Sequence, residues 1–289
     1  MKIVVIVPVR QAQYTLRATL DSLVEQAEAL NAHIVVAVCE SDPSCAILRE
    51  IGPHPLIQIL VAPGRRSVPQ LRGEAVAAAI ALRAEYVVIT EDHCTFPPAW
   101  LQRLVEAAAP NAVSGGGVLN GRTSWAGWAQ YFTRYSIFQP PLPAGLAIHL
   151  PGNNACYAGP VLDRYAHLLK DGFWEAEFNA EARKTFAFRI VSGCDVVQYQ
   201  HRGMFEFVLL RFRHGRCYGA RREDKQLARA LLIPAILFWR AARAVFERQR
   251  QRVRFLLASP LLLLYFAAWA AGEAWGYRFG AGDSCSDTD

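Results

Sequence analysis

The first 120 residues alternate short β-branched runs with helical patterns, and this alternation leaves few architectures open. It is typical of βα units stacked around a mainly parallel sheet. Strands are predicted at residues 3–9, 33–38, 56–61, 86–90 and 112–118. Apolar residues recur at helical spacing over 16–30 and predict an amphipathic helix between the first two strands. The chain is therefore expected to form an α/β fold with a mainly parallel sheet.

The middle of the chain is less regular. Aromatic residues over 125–138 lead into the proline-rich stretch 139–145, which indicates a binding subdomain rather than another βα unit. Helical patterns return at 160–169, 177–191 and 204–220, and a further strand is expected at 195–199.

Composition narrows the class of partner. Only 19% of residues are charged, which excludes a disordered chain. The seven cysteines form no CxxC pair, which argues against a zinc ribbon or a disulfide scaffold and favours a reducing compartment. Residues 200–254 hold thirteen arginines and one lysine against four acidic residues. This block predicts anionic partners such as phosphates or anionic lipid, and no nucleic-acid-binding signature accompanies it, so nucleic acid is not expected.

Two apolar segments, 230–239 and 255–272, indicate a membrane-associated C-terminus. As a helix, the second would extend roughly 27 Å, slightly less than the ~30 Å hydrocarbon core. The first suits an amphipathic helix lying in the membrane interface. The arginines between them are expected to face the cytoplasmic leaflet: Arg240, Arg243, Arg248, Arg250, Arg252 and Arg254. The alternative is two buried helices of a soluble domain or a dimer interface.

Polar residues follow three predicted strands at the point where each strand ends. The sets are Glu40 and Asp42, then Arg65 and Arg72, then Glu91, Asp92 and His93. Because the carboxyl ends of parallel strands share one edge, these groups are expected to line a ligand crevice. No GxGxxG follows the first strand, which argues against a nicotinamide oxidoreductase.

The triplet 91–93 has the chemistry of a metal site. Alternate residues of an extended segment point to the same side, so Glu91 and His93 are expected to converge on one ion. A divalent cation there would neutralise a diphosphate, and an imidazole ligand favours manganese over magnesium. The plain alternative is a polar strand end before the turn at Pro97 and Pro98.

A family resemblance covers residues 3 to about 222. The segments IVVIVPVR, VAVCESDPS, APGRRSVPQLRGEAVAAA and EYVVITEDHCTFPPAWL resemble family 2 glycosyltransferases of the type A fold. The motifs HLPGNNACY, FWEAEFNAEA, QYQHRGM and RFRHGRCYGARR follow in the family's order. The apolar tail resembles the membrane-associated C-termini of some members. The resemblance implies a sheet of Rossmann-like βα units followed by membrane-associated helices.

The resemblance also implies roles for the strand-end residues. Glu40 would contact the nucleotide base with Asp42 nearby, and Arg72 would frame the nucleotide pocket. Glu91 and His93 occupy the metal-ligand positions of the family's DxD motif, and His201 would reach the metal or the diphosphate. Further substrate-binding residues are expected among Arg65, Asp92, Asn153, Asn154, Arg211 and Arg216. Asn153 and Asn154 would bind sugar hydroxyls or cap backbone groups. The helical stripe that contains Arg211 would clamp phosphate oxygens or face anionic lipid.

An inverting transfer needs a carboxylate base to take the proton of the acceptor hydroxyl. Glu181 is the first choice because its spacing to Gly193 fits the family's acidic motif. Ala182 stands where the family often has the aspartate base, so Glu175 and Glu177 remain candidates. Without the resemblance, these glutamates would be taken for a solvated helix face.

Together these features predict an inverting, metal-dependent glycosyltransferase at the cytoplasmic face of the plasma membrane. Its donor would be a nucleoside diphosphate sugar, with UDP the expected nucleotide, and its acceptor a lipid-linked or polysaccharide chain. Residues 1–118 would bind the nucleotide sugar, 119–222 would bind the acceptor and catalyse transfer, and 223–289 would bind the membrane. The alternative is a catalytically silent scaffold that binds a nucleotide or a lipid in a polysaccharide assembly complex.

Overall fold

The structure is a computed structural model that describes residues 1–200, 202–223 and 227–287. The chain forms two compact units. The sheet unit contains residues 1–119 and 140–199, and the helical unit contains residues 120–139 and 200–289.

Eleven strands and ten helices are described in these ranges. The strands are β1 Ile3–Val9, β2 His33–Cys39, β3 Ile57–Ala62, β4 Tyr86–Thr90, β5 Cys94–Thr95, β6 Ala112–Gly115, β7 Val118–Asn120, β8 Gly145–Leu146, β9 Asn154–Ala158, β10 Ala187–Ile190 and β11 Val196–Gln198. The helices are α1 Leu16–Leu30, α2 Cys45–Ile51, α3 Val68–Ala81, α4 Trp100–Ala108, α5 Trp125–Tyr135, α6 Gly159–Arg164, α7 Glu175–Ala182, α8 Met204–Arg221, α9 Leu227–Glu247 and α10 Arg252–Phe279.

The main sheet has eight strands in the order β3-β2-β1-β4-β9-β6-β10-β8. Strands β1 to β4 are parallel, as their near-continuous apolar runs predict. All seven residues of β1 are buried, because helices cover both faces of a parallel sheet. The strand order reverses between β1 and β4, so a ligand crevice is expected beyond the carboxyl ends of these two strands.

Two expected elements differ from the structure. The strand expected at 112–118 divides into β6 and β7, which belong to different sheets. The helix expected over 177–191 ends at Ala182, and β10 follows it. β10 pairs in parallel with β6 and buries Phe188 in the core. This pairing overrides the local helical pattern, because strand propensity depends on the partner that a segment finds.

The helical unit joins two parts of the chain, residues 120–139 and 200–289, which the expected division into 1–118, 119–222 and 223–289 does not group together. α5 and α8 belong with the C-terminal helices rather than with the sheet. The apolar face of α5 accounts for this, since Phe132 packs edge-on against Phe255 of α10 at 5.3 Å between ring centroids. Within the aromatic stretch 125–138, Trp128, Tyr131 and Phe132 are buried.

Helices α8 and α10 pack through glycines on both sides. Gly215 and Gly219 lie one turn apart on α8, and Gly272 and Gly276 lie one turn apart on α10. A Cβ at Gly272 would overlap the carbonyl oxygen of Phe212, and each of the other three would meet backbone of the opposite helix. The two backbones are therefore closer than side chains at these positions would permit.

A buried carboxylate lies in the same helix pair. Glu273 has no exposed surface. It accepts hydrogen bonds from Trp269 Nε1 at 3.0 Å and Tyr277 Oη at 2.5 Å, and it forms an ion pair with Arg222 Nε at 3.0 Å. These partners compensate its charge away from water.

A disulfide also closes the helical unit. It joins Cys217 of α8 to Cys285, across 68 residues of sequence. The sequence argues against a disulfide scaffold, and this single bridge arises because the fold brings together two distant cysteines that no sequence spacing pairs. The other five cysteines are free.

One face of α10 is exposed and apolar along its length. Within the described residues, Arg252–Phe279 is the helix whose length and composition would allow it to cross a membrane. Its exposed stripe includes Val253, Leu256, Leu257, Leu263, Leu264 and Trp275. The first half of α9 is similar, with Leu231, Leu232, Ile236 and Trp239 exposed.

Candidate functional site

The triplet Glu91, Asp92 and His93 follows β4 beside the switch point of the sheet. The three residues have only 7%, 6% and 5% of their surface exposed. Such burial of ionisable groups is unusual unless they are paired. The contacts that compensate them define the candidate site.

Glu91 lies at the centre of this buried cluster. Its Oε1 accepts a hydrogen bond from Arg72 Nη2 of α3 at 2.5 Å. Its Oε2 lies 3.0 Å from His93 Nε2. Glu91 and His93 therefore converge on one side of the strand end, as their alternation predicts, and Arg72 joins them.

Asp92 points in the opposite direction and holds the loop after β1. Its Oδ2 accepts a hydrogen bond from the backbone N–H of Arg10 at 2.7 Å. Its Oδ1 lies 2.8 Å from His93 Nδ1. The structure thus contradicts the substrate-binding assignment of Asp92, because both carboxylate oxygens are occupied by groups of the protein itself.

Two carboxylates determine the protonation of His93. Burial alone would lower the pKa of His93, but hydrogen bonds and charges from Asp92 and Glu91 outweigh burial and raise this pKa to about 9. At neutral pH the imidazole is therefore cationic and lies between two anions.

This pairing predicts a dependence of stability on pH. Because the folded-state pKa of His93 lies above its usual value near 6.5, its contribution to folding is complete below about pH 6.5 and is lost as pH rises through about 9. The free energy of unfolding, measured by urea titration, should fall between pH 7 and 9.5. In His93→Gln this decline should be smaller. Equal declines in both proteins would contradict the assignment.

The triplet offers two converging ligands for a divalent cation. Glu91 Oε2 and His93 Nε2 lie 3.0 Å apart, and ligand atoms at this separation can bind one ion at ~2.1 Å each. Glu91 and His93 therefore fit a metal once the imidazole loses its proton. Among the described residues, no group of three or more His, Cys, Asp or Glu side chains is arranged to hold an ion. His201, the third expected ligand, lies outside the described residues.

The other strand ends have different roles. Glu40 is exposed after β2, and its Oε1 lies 3.5 Å from the backbone nitrogen of Gly64 after β3. Asp42 accepts hydrogen bonds from the backbone N–H groups of Gln11 and Ser44, both at 2.9 Å, so it mainly shapes the loops. Arg65 is exposed at the same edge.

Arg10 was missed by the sequence analysis. It directly follows β1, and its backbone bonds to Asp92 at the point where the strand order reverses. Inspecting the polar residues that directly follow β1, as for the other three strands, would have identified Arg10.

The two asparagines after Gly152 are buried. Asn154 donates to the carbonyl oxygens of Gly117 and Cys194 and accepts from Trp100 Nε1. The sugar-binding assignment of Asn154 is therefore wrong, and the alternative of a backbone cap is confirmed. Asn153 is also buried, with Nδ2 3.6 Å from Cys94 Sγ, so no surface remains for a sugar.

The three candidate glutamates have different surroundings on α7. The carboxylate of Glu175, at the start of the helix, lies directly over Gly152, where a side chain would otherwise fit. Glu177 is exposed. Glu181, at the other end of the helix, binds exposed Lys184 at 2.6 Å.

Tyr157 of β9 links Glu175 to the buried cluster. Burial raises the pKa of Tyr157, the charge of Glu175 raises this pKa further, and Arg72 lowers it. The charges of Glu175 and Arg72 thus act in opposite directions on the pKa of the same phenol. No comparable link is seen for Glu181, whose described partner is Lys184.

Two arginines of α8 are not placed on an open surface. Arg216 donates from Nε to the carbonyl oxygen of Gly280 at 2.9 Å and so fixes the end of α10. Its substrate-binding assignment stays a prediction. Arg211 is buried, and its guanidinium lies over the ring of Trp269 of α10.

Comparison with known families agrees with this architecture. The model described as glycosyl transferase family 2 matches residues 4–159, more than half of the chain. The chain belongs to this family. Membership of glycosyl transferase family 2 establishes sugar transfer as the general activity. No curated protein matches the chain.

Solved structures share the fold of this family 2 member. S. aureus TarS residues 1–349, in complex with UDP-GlcNAc, has 15% identity and a TM-score of 0.52, with 97% of this chain and 92% of TarS covered. The same TarS fragment without that ligand has a TM-score of 0.51. GalNAc-T7 with UDP, GalNAc and Mn²⁺ has 14% identity and a TM-score of 0.53, with 70% of this chain and 45% of GalNAc-T7 covered. At these identities the likeness concerns the fold.

Proposed function

We propose that the protein transfers a sugar, with inversion, from a UDP-linked donor to a lipid-linked or polysaccharide acceptor at the cytoplasmic face of the plasma membrane. The observation that carries the proposal is the buried cluster of Arg72, Glu91 and His93 at the switch point, together with Glu175 close to the same Tyr157. A diphosphate needs cations, and an acceptor hydroxyl needs a base. Both kinds of group are present in the sheet unit.

The donor would bind along the carboxyl ends of β1 to β4. Glu40 at the exposed end of β2 would contact the base, and Arg65 and Arg72 would contact the diphosphate through charge-assisted hydrogen bonds. The ligands in the TarS and GalNAc-T7 structures, UDP-GlcNAc and UDP, support a uridine nucleotide here.

Glu91 and His93 are the residues that would hold a divalent cation, Mn²⁺ in preference to Mg²⁺ because of the imidazole. Such an ion would neutralise charge on the leaving diphosphate. Manganese in the GalNAc-T7 structure supports this choice. Arg72 is a permanent cation on Glu91 and would stabilise the same negative charge.

We assign the base to Glu175 in place of the first choice from sequence, Glu181. Glu175 lies against the Gly152 turn, and its charge raises the pKa of Tyr157, on which Arg72 of the cluster also acts. Glu181 is bound to Lys184 at the exposed end of the helix. A base must reach the acceptor hydroxyl within about 3 Å, which favours the glutamate nearer the donor site.

The exposed apolar stripes of α9 and α10 support membrane association. Large apolar patches on a protein surface mark interaction sites, and exposed arginines adjoin these stripes: Arg240, Arg243, Arg250, Arg252 and Arg254. Anionic lipid complements this charge. Arg248 does not take part, because its guanidinium donates to the carbonyl oxygens of Ser136 and Ile137.

We propose that α10 lies in the plane of the membrane interface. Its second half is in backbone contact with α8 through Gly272 and Gly276. α8 also carries Arg213 and Arg221. A membrane-spanning α10 would draw these charges toward the hydrocarbon, at a cost of several kcal/mol each. An in-plane helix immerses only its exposed stripe.

Leu256→Glu combined with Leu263→Glu should reduce binding to anionic vesicles at least tenfold. Each leucine contributes about 1.5–3 kcal/mol when its side chain is fully buried. Co-flotation with phosphatidylglycerol vesicles measures the effect. The matched control is Leu146→Glu, an 83% exposed leucine of the sheet unit, which should float like the parent protein. Equal flotation of all three proteins would contradict the membrane face.

The test of the transferase is hydrolysis of a panel of UDP-, GDP- and dTDP-sugars by the detergent-solubilised chain, with and without Mn²⁺. Turnover of one donor class, stimulated by the metal and lost in Glu91→Gln, is expected. Turnover that is equal with and without Mn²⁺, or unchanged in Glu91→Gln, would contradict the metal-ligand assignment.

A second candidate is a catalytically silent scaffold that binds a nucleotide or a lipid. The mutual pairing of Glu91, His93 and Arg72 favours it, because these groups satisfy one another without a ligand. Binding of a nucleotide without turnover of any donor in the same panel would support the scaffold against the enzyme.

A further inference from the structure

The helical unit contains a buried cation without an opposite charge. Arg211 of α8 has 8% of its surface exposed, and its Nε is buried without a hydrogen bond. Within residues 1–200, 202–223 and 227–287, no carboxylate, carbonyl or hydroxyl group accepts a hydrogen bond from this guanidinium. Its closest described partner is the ring of Trp269, 4.3 Å from the guanidinium carbon.

Two other arginines of the helical unit have partners for their charge. Arg248 donates to the carbonyl oxygens of Ser136 and Ile137, both at 2.8 Å. Arg222 pairs with the fully buried Glu273. An uncompensated buried charge is strongly destabilising, so proteins rarely retain one without a use. Within the described part of the chain, Arg211 lacks the hydrogen bonds or ion pair that Arg248 and Arg222 have.

The surroundings of Arg211 are positive rather than neutral. Burial and then repulsion from Arg134 of α5 lower the pKa of Arg211 to about 9, so that the guanidinium remains charged at neutral pH. The carboxylate of Glu273 lies one helical turn beyond Trp269 but binds Arg222, Trp269 and Tyr277. Glu273 therefore does not neutralise the charge of Arg211.

We propose that Arg211, with Arg134 beside it, forms a binding site for a phosphate oxyanion. The guanidinium lies over the ring of Trp269, and an arginine held by such a contact can use its N–H groups for a bidentate contact. Planar, paired donors match phosphate geometry, which a lysine would not do. A bound oxyanion would also compensate the repulsion between the two arginines.

All residues of the proposed site belong to the helical unit. Its phosphate can come from a soluble diphosphate or from the headgroup of a lipid. The chemistry is the same in both cases, and two probes separate them: inorganic pyrophosphate, and phosphatidylglycerol in mixed micelles.

The test is thermal unfolding of the full chain in a non-ionic detergent, with and without each probe. At ten times its dissociation constant, a ligand should raise the Tm by roughly 3–5 °C for a chain of this size. Arg211→Met should abolish that shift. The matched control is Arg221→Gln, an exposed arginine of the same helix, which should keep it. A shift with pyrophosphate identifies a soluble source, and a shift with phosphatidylglycerol alone identifies a lipid.

The same variant separates a binding role from a structural one. Without any probe, Arg211→Met should unfold at or above the Tm of the parent protein, because it removes an uncompensated charge. A lower Tm together with an unchanged probe shift would overturn the proposal, as would the absence of a shift with both probes in the parent protein.

Arg211→Lys keeps the charge and should need about tenfold more probe for the same shift. Equal affinity would overturn bidentate recognition.

Discussion

Glu175→Gln is expected to lower kcat by about 10²–10⁴-fold while leaving the affinity for the donor unchanged. Glutamine keeps the size of the side chain over Gly152 but cannot accept the acceptor's proton. Steady-state kinetics with the donor identified by the panel, together with nucleotide binding by calorimetry, measure both quantities.

Two neighbouring glutamates of α7 provide the controls. Glu181→Gln breaks an exposed contact with Lys184, and Glu177→Gln changes an exposed side chain. Both variants should retain kcat within a factor of about two, since surface changes of this kind have small effects. Loss of turnover in Glu181→Gln with full activity in Glu175→Gln would return the base to the position that the family spacing favours.

Arg72→Leu is expected to destabilise the protein by about 3–5 kcal/mol. The substitution removes the cation on Glu91 Oε1 and leaves the buried carboxylate with His93 as its remaining described ion-pair partner. A loss of this size is a large part of the 5–15 kcal/mol that stabilises a typical domain. The midpoint of urea unfolding at pH 7 measures it.

Arg66→Leu is the matched control, since it breaks another arginine–glutamate pair of the sheet unit. Arg66 Nε lies 3.1 Å from Glu74 Oε1, but the two side chains are 35% and 43% exposed. Exposed pairs contribute about 0–1 kcal/mol, so this variant should remain close to the parent protein. Similar losses in the two variants would show that burial does not distinguish the pairs.

The parallel half of the sheet could be predicted because its signals are local. Each of β1 to β4 is a short apolar run rich in valine and isoleucine, and the polar residues follow directly where each run ends. The convergence of Glu91 and His93 follows from the alternation of side chains in an extended segment. No other part of the fold is needed for these inferences.

The remaining features depend on contacts between distant segments. β10 forms because β6 offers it a partner from a distant part of the chain. Glu175 differs from Glu181 because the turn at Gly152 meets only the first end of α7. The opposite roles of Asp92 and Glu91 depend on Arg10 and Arg72, which lie far away in sequence.

The glycine contact between α8 and α10 limits how the protein can be shortened. Removing the apolar C-terminus, the usual route to a water-soluble fragment, would uncover the glycine-lined side of α8 and leave Arg222 and Cys217 without Glu273 and Cys285. A fragment ending before Arg252 would therefore lose the surface that shapes α8. Purification of the intact chain in detergent is the approach that preserves the helical unit.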